Sequence, residues 1–138
     1  MQRLRVLVAE DHESVRNILV ELLRSEFEVV GAVADGAQLV KAATLLQPDV
    51  IVSDILMPGQ DAFVARDELL SLGIKVPFVF ITLMDTRVIS PQPDNVSYVH
   101  KSDVTQELAK GVRAVARGEV YLSKAFRELW GQPPGPRF

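Results

Sequence analysis

Five short, nearly continuous apolar runs punctuate the chain: "LRVLVAED" (4–11), "EVVGAVA" (28–34), "VIVSD" (50–54), "VPFVFIT" (76–82) and "VSYVHK" (96–101). Runs of this length, apolar at successive positions, read as strands covered on both faces. The segments between them change to helical period. "HESVRNILVELLRSE" sets Val15, Ile18, Leu19, Leu22 and Leu23 on one stripe, and "DGAQLVKAATLLQ" does the same with Leu39, Val40, Ala43 and Leu46 behind an Asp35 N-cap. Pro48-Asp49 breaks that helix. "DAFVARDELLSLG" follows the third run, with Asp61 as cap and Gly73 as stop, and "VTQELAKGVRAVARG" follows the fifth, with Val112 and Val115 inward. Strand and helix in alternation imply a doubly wound, five-stranded parallel sheet with helices on both faces. The interval "LMDTRVISPQPDNV" breaks the rhythm. Pro91 and Pro93 leave room for little more than two helical turns, so the fourth helix is expected to be short, shifted or replaced by a loop.

At 138 residues, 48% of them hydrophobic and 24% charged, the chain has the size and balance of one folded domain. Its net charge of -3 supplies no basic footprint for nucleic acid. No apolar run reaches the roughly 18 to 20 residues of a membrane span, and "MQRLRVLVAEDHE" lacks the apolar stretch and cleavage site of an export signal. Without cysteine there is neither a disulfide framework nor thiolate chemistry, which accords with a reducing, cytoplasmic setting.

In doubly wound sheets ligands bind outside the carboxyl ends of the strands. Here those ends carry Glu10 and Asp11 after strand one, Asp54 after strand three, Thr82 after strand four, and Lys101 beyond Tyr98 on strand five. An acid after one strand is ordinarily a cap or a solvated turn. Acids, a hydroxyl and an amine at the same end of four strands are a different matter. Clustered carboxylates repel unless a positive charge sits among them. Magnesium suits such a set, since it takes oxygen ligands and commonly uses one or two carboxylates plus phosphate oxygens. A carboxylate beside it can attack phosphorus to give an acyl phosphate, with the lysine and threonine contacting phosphoryl oxygens.

Taken in order, "ED" after strand one, "SDILMPGQD" around Asp54, the Thr82 position and "YVHK" ending in Lys101 resemble the receiver domains of two-component response regulators, over about Leu4 to Leu122. "VRAVARGEVYLS" is similar to receivers that precede a LuxR-type helix-turn-helix output domain. The resemblance implies a flavodoxin-like receiver fold that takes a phosphoryl group on Asp54 from a sensor histidine kinase or phosphotransfer protein. It further implies Mg2+, with Mn2+ able to substitute, held by Glu10, Asp11, Asp54 and the backbone carbonyl of Leu56. Thr82 and Lys101 would hold the phosphoryl group and Tyr98 would switch inward. Charge at the site would then become a change on a protein-interaction surface, possible homodimers included. Such a domain is a signalling module rather than an enzyme, with only its own phosphorylation and dephosphorylation to catalyse.

Some residues depart from the family pattern. Leu83 stands where a small residue is usual, Ser102 where many receivers have proline, and Gln60 and Ala62 where "MPGMDG" is commoner. The alternative function is therefore an atypical receiver that works by protein contact without phosphorylation. Two enzymes of similar fold are disfavoured. "EDHES" would repel a flavin phosphate, and Asp54 lacks the second acid two residues on that a haloacid-dehalogenase-type phosphatase uses. His12 and His100 read as rim groups rather than ligands, and Trp130 as packing of a tail helix. The expected division is a receiver over 1–122 and a tail or linker over 123–138, with "SKAFRELW" as a possible short helix and "GQPPGPRF" as irregular chain. The 16 residues after Leu122 (138 minus 122) are too few for a DNA-binding domain, so no nucleic acid is expected to bind unless an output domain has been removed.

Overall fold

A computed structural model of the chain describes residues 3–83 and 96–130. Strands β1 (Arg5–Ala9), β2 (Glu28–Val33), β3 (Val50–Asp54), β4 (Phe78–Thr82) and β5 (Val96–His100) form one sheet in the order β2-β1-β3-β4-β5. All four pairings are parallel. Helices α1 (Glu13–Arg24), α2 (Gly36–Leu46), α3 (Ala62–Ser71), α4 (Val104–Ala116) and α5 (Lys124–Trp130) accompany it, and a 3-10 turn over Lys101–Asp103 leads β5 into α4. The irregular helix expected between β4 and β5 falls on residues 84–95 and the Pro-rich tail on 131–138. Both lie outside the described residues, as does the Trp130 side chain.

Strand alternation sorts the core into two layers. Val6, Val8, Val50, Val52, Val79, Ile81 and Val99 face α1 and α4, where Leu19, Leu23, Leu108 and Val112 meet them. Leu7, Ile51, Phe78, Phe80 and Tyr98 face the opposite side, packed with Leu39 and Ala43 of α2, Ala65 and Leu69 of α3, and Phe126 of α5. The expected apolar stripe of α1 is narrower than its spacing suggested. Leu19 and Leu23 are buried, whereas Ile18 is 53% exposed, one position off the buried line. Edge strand β2 is only partly covered.

The helix boundaries follow local chemistry. Asp35 accepts a hydrogen bond from the Gln38 amide at 2.8 Å, and Asp61 one from Val64 at 2.9 Å, satisfying donors that a helix start leaves open. The start of α2 also presses on the turn that follows β3. A Cβ at Gly36 would lie 2.4 Å from the Gln60 carbonyl oxygen, so only glycine permits this approach. At the other end of the chain, Tyr121–Ser123 runs along the outer edge of β5. The Tyr98 amide donates to the Tyr121 carbonyl at 2.9 Å, and the Ser123 amide donates to the Tyr98 carbonyl at 3.0 Å. The short helix expected in the tail is present as α5, and its Phe126 is wholly buried against Tyr98. Core burial thus continues past residue 122, through Ser123 and Phe126.

Candidate functional site

β1 and β3 are neighbours whose connections leave in opposite directions, β1 to the edge strand β2 and β3 toward β4. The crevice at their carboxyl ends is the switch point of the sheet. Glu10 and Asp11 follow β1 there, and Asp54 is the last residue of β3. The rigid, fully buried run Val50–Ser53 fixes Asp54 at the rim, where it is 7% exposed.

Lys101, the first residue after β5, reaches across the rim. Its Nζ lies 2.8 Å from Asp54 Oδ2 and 3.3 Å from Glu10 Oε1. Burial alone would favour the neutral amine, but the two carboxylates reverse this and raise the Lys101 pKa above its ordinary value. Glu10 is fully buried. Its burial, with the Asp54 carboxylate beside it, pushes its pKa up, and Lys101 offsets this only in part. One positive charge among three acids leaves the cluster short of cation. Glu10 Oε2, a buried acceptor, has no hydrogen-bond donor among the described residues. A buried carboxylate oxygen of that kind fits a hard divalent cation with oxygen ligands. The described residues therefore suit Mg2+.

The structure brings Glu10, Asp54 and Lys101 into direct contact, and Asp11 stands beside them. His12, read from sequence as a rim group, is exposed but close: its Nδ1 lies 3.3 Å from both Glu10 Oε1 and Asp11 Oδ1. One ligand atom from each of Glu10, Asp11 and His12 falls within 4.8 Å of the others. Thr82 ends β4 in register with His100 and is buried. The Leu56 amide donates to Asp54 Oδ1 at a long 3.4 Å, and Leu56 itself is 58% exposed. Leu83 is 69% exposed. Tyr98 lies below the rim. Its ring is buried between Phe80 and Phe126, with centroids 5.7 and 6.1 Å away.

Sequence reasoning missed Arg16. From α1 its guanidinium donates to the Glu10 carbonyl at 2.8 Å and more weakly to that of Asp11 at 3.5 Å, tying down the backbone that carries both acids. A single cation on an amphipathic helix gives no sequence signal for such a bond.

The match to known proteins agrees with this geometry. The model of the response regulator receiver domain matches residues 6–113. The transcriptional regulatory protein LiaR of Bacillus subtilis is 33% identical over 124 residues, covering 86% of this chain and 59% of that protein. The response regulator GacA of Pseudomonas aeruginosa is 30% identical over 127 residues, covering 87% of this chain and 58% of GacA. The chain thus spans less than two thirds of these relatives' length. Among solved structures, the signal receiver domain of the response regulator NarL from Mycobacterium tuberculosis superposes with a TM-score of 0.78 at 25% identity, over 86% of this chain and 100% of that one. With that fold, and with its acids and lysine at the switch point, the chain belongs to the response regulator receiver domain family.

Proposed function

We propose that the chain accepts a phosphoryl group on Asp54 from a phosphohistidine of a sensor kinase or phosphotransfer protein, and passes the change to a protein partner. A carboxylate oxygen of Asp54 attacks phosphorus, the O–P bond forms as the N–P bond breaks, and the electron pair stays on the departing imidazole nitrogen. Glu10, Asp11, Asp54 and the Leu56 carbonyl would hold Mg2+, which supplies charge neutralisation to the phosphoryl oxygens. Lys101 offers a second positive charge and Thr82 a hydroxyl donor to the same oxygens. Asp54 is held rigid by its strand, so little motion precedes attack. The observation that carries this reading is the 2.8 Å contact of the Lys101 ammonium with Asp54 at the carboxyl end of the sheet.

Receiver domains are signalling domains, and no described helix is long and apolar enough to cross a membrane. A soluble, cytoplasmic module fits both. The proposed unit is a receiver body over 1–122 on which the following helix docks, with the remaining residues as linker. A LuxR-type output domain beyond it would be the natural recipient of the signal. The test is incubation with acetyl phosphate and Mg2+, followed by intact mass. Gain of one phosphoryl group by the native chain and none by Asp54→Asn is the expected result. No gain in either supports the contact-only receiver instead.

A further inference from the structure

The residues on both sides of Lys101 are bonded to the C-terminal segment, which lies outside the stretch matched by the family model, 6–113. On the side before it, the His100 amide donates to Ser123 Oγ at 2.9 Å, and the His100 ring stands edge-on to Phe126 with centroids 5.8 Å apart. After it, Asp103 Oδ2 accepts from the Ala125 amide at 3.0 Å. Ser123 is fully buried, so its hydroxyl meets no competing water. The segment is itself anchored from behind. Glu107 of α4 accepts from the Tyr121 hydroxyl at 2.6 Å, the Lys124 amide at 2.9 Å and Arg127 Nη1 at 3.0 Å. Lys101 therefore sits in a short turn, 100–103, bonded at each end to the same C-terminal segment.

We propose that Ser123 and Asp103, with α5 behind them, are positioning residues that clamp the 100–103 turn so that Lys101 is held on Asp54 and Glu10. A lysine side chain has a flexible stem and a point charge, so its reach is only as well defined as its backbone. At this site a displacement near 1 Å is enough to matter to phosphoryl transfer. The inference rests on the proposed role of Asp54 as acceptor. It adds that the acceptor site extends through the β5 edge into a helix that the matched region does not include.

Truncation before α5 would uncover Phe126's place in the core and could simply unfold the chain, so the test uses Ser123→Ala in the full chain. Phosphorylation by acetyl phosphate and Mg2+ is timed by intact mass, with circular dichroism and thermal melting as checks on folding. Ser123→Ala is expected to react about five- to tenfold more slowly with its fold intact, and Ser123→Thr to recover the rate. In a Lys101→Ala background the same Ser123→Ala change is expected to add nothing, because the two act on one interaction. A wild-type rate in Ser123→Ala, or an equal slowing in both backgrounds, overturns the clamp while leaving Asp54 as acceptor. Failure of the wild-type chain to take up any phosphoryl group removes that acceptor reading and the clamp together.

Discussion

Glu10 is a fully buried carboxylate with one oxygen hydrogen-bonded to Lys101 and the other without a donor among the described residues. An acceptor left unsatisfied in that way costs about 1 to 3 kcal/mol. Without metal, Glu10→Gln is expected to stabilise the chain by about 1 kcal/mol, which is roughly a 3 °C rise in melting temperature. The pH dependence has a definite sign. Glu10's folded pKa is raised, so its contribution is fully present below the ordinary glutamate value of 4.5 and is lost as pH rises through the folded value. The gain from Glu10→Gln in chelator-containing buffer should accordingly grow from acid toward neutral pH. A melting temperature for Glu10→Gln at or below wild type at neutral pH would show that Lys101 already satisfies the site. The identities of Glu10, Asp54 and Lys101 were legible in the sequence because each directly follows or ends an apolar run. Arg16 and the near approach of His12 were not, since both depend on how the first turn of α1 sits on the loop before it.

α5 shows what sequence period can and cannot convey about an element. "SKAFRELW" is visible as a short helix, but nothing local says that it docks, because the bonds that hold it come from residues 14 to 24 positions away: Glu107 to Tyr121, Asp103 to Ala125, Ser97 to the Tyr121 amide. The same holds for Gly36, whose closeness to Gln60 is a tertiary fact inside an ordinary helix start. Strand positions, the Asp35 and Asp61 caps and the Gly73 stop were readable because the physics that sets them is local. For Glu107, burial raises the pKa, but donors from Tyr121, Lys124 and Arg127 outweigh it and hold the carboxyl below its ordinary value. A depressed acid contributes stability above its unfolded pKa and loses it as pH falls through the folded one. Glu107→Gln is therefore expected to cost about 2 kcal/mol in urea unfolding at neutral pH. The difference from wild type should hold down to the ordinary value of 4.5 and shrink below it. A gap that persists unchanged in strong acid would mean that shape, and not charge, ties α5 down.

At the scale of the whole molecule, the sheet gathers charge at one end. Its interior is two apolar layers, while Glu10 and Asp54 crowd one rim against the Lys101 ammonium, with Asp11 next to Glu10. A fold arranged this way stores electrostatic strain where a ligand can relieve it, and anything that binds the folded state alone stabilises it by mass action. Mg2+ at one hundred times its dissociation constant should add about 2.7 kcal/mol. For a chain of this length that is roughly 9 °C in melting temperature. Melting curves in excess chelator and in saturating MgCl2 give the comparison, with Asp11→Asn as the variant that lacks one proposed ligand. The wild type should gain most of that shift, and Asp11→Asn much less. Ca2+ provides a control for general charge screening, because a site built for the smaller ion should respond differently to the two. An equal rise in wild type and Asp11→Asn would place the cation elsewhere on this acidic chain. It would also leave the buried Glu10 oxygen without the partner that its position at the switch point calls for.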